Sequence, residues 1–158
     1  MKSLALVLVL AAAPAFSEEP EKEFRYNGNG YGYFTAGGCQ HGYALYGGGG
    51  GAEGLVWRGL IVGAEGGYQQ FSDHWGFGTF LLDTGYHFVN RKRPQKVDPF
   101  VVGGLGIAAG NGAFAGAMTL GGGVIYWFKP RIGIRTEGRL NGAGGEGMFV
   151  FRVGVSFR

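Results

Sequence analysis

Arg135, Glu137 and Arg139 stand two residues apart, and Arg152 follows in a second alternating segment. In a β-strand that spacing puts all three of the first group on one face. Charges withdrawn from water persist only when they are paired. These cations therefore call for carboxylates opposite them, and Glu65 is the first candidate, with Glu53 and Asp83 as further ones. Two chemistries fit such a cluster: a salt-bridge network that fills an interior and fixes strand register, or a narrow ion path gated by the same pairs.

Other constellations are weaker. Ser72-Asp73-His74 is the one serine–histidine pair at a spacing that places both side chains on one side, as a hydrolytic dyad requires; the same letters also describe a polar turn. Cys39-Gln40-His41 offers two metal ligands without a third close by, so no metal site is expected. Gly49 to Gly54 and Gly142 to Gly147 match G-x-G-x-x-G, but each leads into strand-like rather than helical sequence, which excludes a dinucleotide site; no cofactor is expected. Arg91, Lys92, Arg93 and Lys96 form a basic turn suited to anionic lipid or peptidoglycan.

The elements that must position these residues read as strands. Eight segments separated by turn chemistry fall at about 28–38, 42–54, 60–71, 75–89, 97–110, 115–128, 131–141 and 147–158. The breaks include Asn90 to Pro94, Asn111-Gly112, Lys129-Pro130 and Asn141-Gly142. Alternation is clear in five segments. Ile132, Ile134 and Leu140 oppose Arg135, Glu137 and Arg139; Phe149, Phe151, Val153, Val155 and Phe157 oppose Val150, Arg152 and Ser156. Likewise Leu60, Val62 and Tyr68 oppose Glu65 and Gln69, Phe80, Leu82 and Tyr86 oppose Asp83 and His87, and Met118, Leu120, Val124 and Tyr126 oppose Thr119. The first, second and fifth segments are too glycine-rich for their faces to be assigned.

Period two with one apolar face suits a barrel in lipid, although a soluble barrel alternates too and turns its apolar face inward. Two features favour lipid. Aromatics gather near strand ends (Trp57, Tyr68, Phe71, Trp75, Phe88, Phe100, Trp127, Phe128, Phe157), where a girdle is expected, and the polar face is rich in glycine and poor in charge. Glycine, at 35 of 158 residues, would suggest disorder, but 13 Phe, 8 Tyr and 3 Trp with only 16% charged residues argue for a packed chain. The glycines do not recur every third residue, which excludes collagen.

Residues 1–17 read as a secretory signal: Lys2, an apolar run from Leu4 to Ala13, and small residues Ala15 and Ser17 that permit cleavage after either. The run is too short to span a bilayer, no later stretch is long enough, and lone Cys39 rules out a disulfide scaffold. Residues 18–27 read as a short periplasmic leader and 28–158 as the barrel. With an even strand count both termini lie on the periplasmic side. The outward connections, at about 39–41, 72–74, 111–114 and 142–146, then hold no Lys or Arg, while Arg58, Arg91, Lys92, Arg93, Lys96, Lys129, Arg131 and Arg158 all lie at the periplasmic end.

Gly122-Gly123-Val124-Ile125-Tyr126-Trp127-Phe128, Gly133 to Arg139, and the closing Phe151 to Arg158, taken with the leader, resemble the OmpA-type family of outer-membrane β-barrel domains, the small eight-stranded barrels that include OmpX-like proteins. The resemblance covers about residues 28–158 and is most specific in the last three strands. It implies insertion by the barrel-assembly machinery, with Phe157 as the terminal aromatic of the assembly signal, here followed by Arg158. Larger members carry a separate peptidoglycan-binding domain, which is not expected here.

The expectation is an all-β, eight-stranded, antiparallel up-and-down transmembrane barrel in a bacterial outer membrane. Its interior is expected to be polar and plugged by Glu65, Arg135, Glu137, Arg139 and Arg152. The expected function is structural or interactive within the cell envelope, without enzymatic activity; outer-membrane lipids are the expected partners, nucleic acid is not, and the protein is expected to be a monomer. The alternatives are a low-conductance pore, a lipid A-modifying enzyme, and a soluble exported barrel that binds a small ligand.

Overall fold

The computed structural model describes residues 27–89 and 95–158. The signal segment 1–17, most of the leader, and Arg91, Lys92 and Arg93 of the basic turn lie outside the described residues. Eight strands follow in order: β1 (Gly28–Cys39), β2 (Ala44–Trp57), β3 (Leu60–Phe71), β4 (Gly76–His87), β5 (Val97–Gly110), β6 (Ala113–Lys129), β7 (Ile132–Ala143) and β8 (Glu146–Phe157). Each pairs antiparallel with the next, and β1 closes on β8 from Gly30↔Phe157 to Cys39↔Met148. Closure leaves no unpaired sheet edge, the condition for placing strands in a medium that cannot hydrogen-bond to them.

The hairpins are tight because their sequences permit positive φ at both central positions. Asn111-Gly112 (φ 50° and 77°) and Gly144-Gly145 (φ 59° and 88°) have the pattern of type I′ turns, whose twist matches that of the flanking strands. The second pair corrects the expected break at Asn141-Gly142. Those two residues stay in β7, paired with Thr119 and Met118, and the Asn141 side-chain oxygen accepts a hydrogen bond from the Thr119 hydroxyl at 2.8 Å. The Gly-Gly pair takes the turn instead.

Parity settles inside from outside. Leu82, Leu105, Leu120 and Leu140 are 60–67% exposed, whereas Arg135, Arg139 and Arg152 are 0–2% exposed. A soluble barrel would show the opposite. The five strands with a clear alternation present the faces read from sequence, and the other three now have theirs. Asn29, Tyr31, Tyr33 and Thr35 of β1 point inward, as do Leu45, Glu53 and Leu55 of β2 and Asp98, Phe100 and Val102 of β5.

The glycines of β2 and β3 answer the inward tyrosines of β1. A Cβ at Gly51 would lie 2.8 Å from the Tyr31 hydroxyl, and one at Gly67 would lie 2.9 Å from that of Tyr33. In so narrow a barrel an aromatic side chain fits only where a neighbouring strand has none.

Two expectations need correction. Of the nine aromatics assigned to the girdle, Phe71, Phe100 and Trp127 are buried inside. Each has the inward parity of its strand, so nearness to a strand end did not decide its direction. The interior is also not polar throughout. Leu45, Phe71, Phe77, Leu81, Met148 and Val150 form an apolar cluster at the end opposite the termini, and Leu55, Ile61, Phe100, Val102, Ile125 and Trp127 form another at the terminal end. The arginines and Glu53, Glu65, Asp83 and Glu137 lie between these two caps, and the His87–Asp98 pair sits at the level of the terminal one.

Candidate functional site: the ionic core of the lumen

β7 supplies Arg135, Glu137 and Arg139 on its inward face, and the ladder sets Arg152 of β8 directly opposite Glu137. Glu137 is the hub. Its Oε2 accepts from Arg135 Nε at 3.0 Å, and its Oε1 accepts from Arg139 Nε at 2.8 Å and from Arg152 Nη1 at 3.2 Å. Glu65 of β3 approaches from across the lumen: its carboxylate accepts from Arg152 Nη1 at 2.8 and 3.1 Å and pairs with Arg139 Nη2 at 2.9 Å. Tyr31 donates its hydroxyl to the same carboxylate at 3.0 Å. The five residues named from the sequence thus form one contiguous cluster in the structure.

The two further candidates extend it. Glu53 Oε1 receives Arg135 Nη1 at 3.0 Å and Asn29 Nδ2 at 2.7 Å. Asp83 stands more loosely, 3.6 Å from Arg139 Nη1. Two members were missed: His87 places Nδ1 2.7 Å from Asp98 Oδ1 and Nε2 2.9 Å from Glu53 Oε1, both at full burial. His87 carried a readable signal in its polar parity on β4. Asp98 carried none, because the glycines of β5 masked its alternation.

Aromatic rings line the cations. The Arg135 guanidinium carbon lies 4.1 Å from the ring centres of both Tyr31 and Phe100, and that of Arg152 lies 4.2 Å from Tyr33. Such cation–π contacts strengthen as water is removed, so they add to the ion pairs in a dry lumen. Space is scarce around the network. A cavity of ≈ 10 Å³ bordered by Gln69, Asn141 and Arg152 has room for about one water.

The other sequence candidates do not assemble into sites. Ser72, Asp73 and His74 form the β3–β4 turn, where Asp73 Oδ1 accepts from the Trp75 amide at 3.2 Å. Among the described residues no hydrogen bond joins Ser72 to His74. Cys39 is half-buried against the outer apolar cap, while His41 Nδ1 lies 2.9 Å from Glu146 Oε2 at the surface. No group of three or more potential ligands gathers around a point among the described residues. Lys96 is exposed, and its carbonyl accepts from the Trp127 amide at 2.8 Å. Phe157 points outward from the end of β8 and is 54% exposed.

No family model and no curated protein matches the chain. Solved structures do. The crystal structure of Neisserial surface protein A superposes with a TM-score of 0.64 at 11% identity, covering 82% of this chain and 94% of that one. The outer membrane enzyme PagL gives 0.63 at 13% identity, covering 81% and 99%. The N-terminal β-barrel domain of Pseudomonas aeruginosa OprF gives 0.60 at 17% identity, covering 82% and 98%. In fold, the chain is a small, closed, eight-stranded antiparallel barrel similar to those of these outer-membrane proteins.

Proposed function

We propose that the protein resides in a bacterial outer membrane as a small barrel with a structural or interaction role in the envelope, its lumen closed rather than conducting. One observation carries this reading: the charged side chains of the lumen are 0–5% exposed, and their arginine–glutamate network lies between two apolar caps. An aqueous path would leave those groups wet. Eight strands enclose an interior that side chains can fill, and here aromatic rings and guanidinium groups fill it. The outward apolar face supports the membrane location, since exposed leucines and phenylalanines in that number would aggregate in water. Export by the signal segment and insertion through Phe157 by the barrel-assembly machinery belong to the same reading, as do outer-membrane lipids as partners.

The fold is shared with the outer membrane enzyme PagL, but fold alone does not carry a site. Ser72 and His74 sit in a turn without bonding each other, so this pair gives no support to an enzymatic reading and the structural role is the one proposed. Planar-bilayer recording of the purified barrel tests the proposal. No discrete conductance is expected, and reproducible single-channel steps would overturn the closed lumen in favour of a low-conductance pore.

A further inference from the structure

Outside the lumen, charge is sorted by end. Among the described residues every Lys and Arg not buried in the barrel, namely Arg58, Lys96, Lys129, Arg131 and Arg158, lies at the rim that carries both chain termini. Among the described residues the exposed acids, Asp73 and Glu146, lie at the opposite rim, in or beside its turns. Among the described residues no exposed carboxylate side chain lies on the rim that carries the five cations. Four of them are neighbours through the backbone: the Arg158 amide donates to the Arg131 carbonyl at 3.1 Å, Lys96 is joined to Trp127 at 2.8 Å, and Lys129 and Arg131 flank the β6–β7 turn.

We infer that this rim is a docking surface for anionic phospholipid headgroups, and that it fixes which face of the barrel meets a phospholipid leaflet. The inference rests on the membrane reading above. Depth selects lipid over a polymer beyond the membrane. Arg158 lays its guanidinium over the inward-facing Trp127 ring at 4.1 Å and donates to the Pro130 carbonyl at 2.8 Å, but two cations immediately follow an outward-facing aromatic, as Arg58 follows Trp57 and Lys129 follows Phe128. One residue of strand rises about 3.4 Å, so these charges lie just beyond the aromatic belt, at headgroup level. The turns that carry Arg58 and Arg131 are two residues long, Arg58-Gly59 and Pro130-Arg131, and do not project further. Charge selects the headgroup: a phosphodiester with no compensating amine, as in phosphatidylglycerol, complements a rim on which Arg58, Lys96, Lys129 and Arg131 are exposed, and a zwitterionic one does not.

The test uses the full chain in phosphatidylcholine vesicles doped with spin-labelled phosphatidylglycerol or spin-labelled phosphatidylcholine, reading the fraction of each label immobilised on the protein. Phosphatidylglycerol is expected to associate more strongly by a factor on the order of 2–5, falling in high salt. The variant Arg58→Gln/Lys96→Gln/Lys129→Gln/Arg131→Gln is expected to bring that ratio towards unity, while Asp73→Asn/Glu146→Gln at the other rim leaves it unchanged. Equal association of the two lipids in the wild type overturns the inference. So does a preference that survives the four-site variant, and so does sacculus binding that the variant loses while lipid preference is absent. Heat-modifiable gel migration of each variant reports the barrel separately, so loss of the barrel is distinguishable from loss of the lipid surface.

Discussion

Glu137→Gln is the substitution that most sharply separates a dry ionic core from a wet one. It keeps the side-chain volume, so little cavity forms, and removes the charge on which Arg135, Arg139 and Arg152 converge at 2.8–3.2 Å. Arg135 retains Glu53, and Arg139 and Arg152 retain Glu65, so each keeps one carboxylate and the network does not disperse. The remaining local excess of positive charge is buried at 0–2% exposure. Removing one partner from a buried pair costs about 3–5 kcal/mol, whereas an exposed pair contributes about 0–1 kcal/mol. The expected loss is thus about 3 kcal/mol or more, roughly a hundredfold in the folding equilibrium. Reversible urea unfolding in lipid vesicles measures it. Adding Arg139→Met should recover part of the loss, with a coupling above about 1 kcal/mol, because the second change removes the excess buried positive charge. A loss below about 1 kcal/mol would refute the reasoning, since it would place water around Glu137.

Removing all three guanidinium groups with Arg135→Ala/Arg139→Ala/Arg152→Ala is expected to convert a silent barrel into one with measurable conductance in planar bilayers, if the folded band persists on a gel. Gly67→Ala, whose new Cβ would lie 2.9 Å from the Tyr33 hydroxyl, is expected to cost about 1–3 kcal/mol in the same unfolding assay, and Tyr33→Phe should restore part of it by deleting that oxygen. Phe151→Arg, in the middle of β8 and facing outward, is expected to destabilise by about 2–4 kcal/mol, and Phe157→Arg at the rim by about 0–1 kcal/mol. Equal costs at the two positions would contradict the depth assigned to the belt.

Much of this architecture could be read from letters because a barrel wall is a local object. Period two along β7 and β8 needs only the sequence of each strand, and it placed Arg135, Glu137, Arg139 and Arg152 on one face. The paired carboxylate Glu65, although distant in the chain, followed from the same parity together with the physical demand that buried cations be matched. Glycine broke the reading elsewhere. In β1, β2 and β5 it occupies both faces, so the inward direction of Tyr31, Tyr33 and Asp98 emerged only when strand pairing showed which glycines leave room for which rings. The apolar caps were hidden for another reason. Phe71, Phe100 and Trp127 lie near strand ends like girdle residues, and only parity separates a ring that closes the lumen from one that faces lipid. The position of the last outward turn failed through competition between two turn signals, Asn141-Gly142 and Gly144-Gly145, which register rather than composition decides.

The central claim, a closed barrel seated in the outer membrane, is tested most directly by separating the two membranes and running the outer-membrane fraction on a denaturing gel with and without boiling. The account predicts that the protein is recovered in that fraction and migrates at two different positions depending on heating. Recovery in the periplasm, or a single position irrespective of heating, would contradict it.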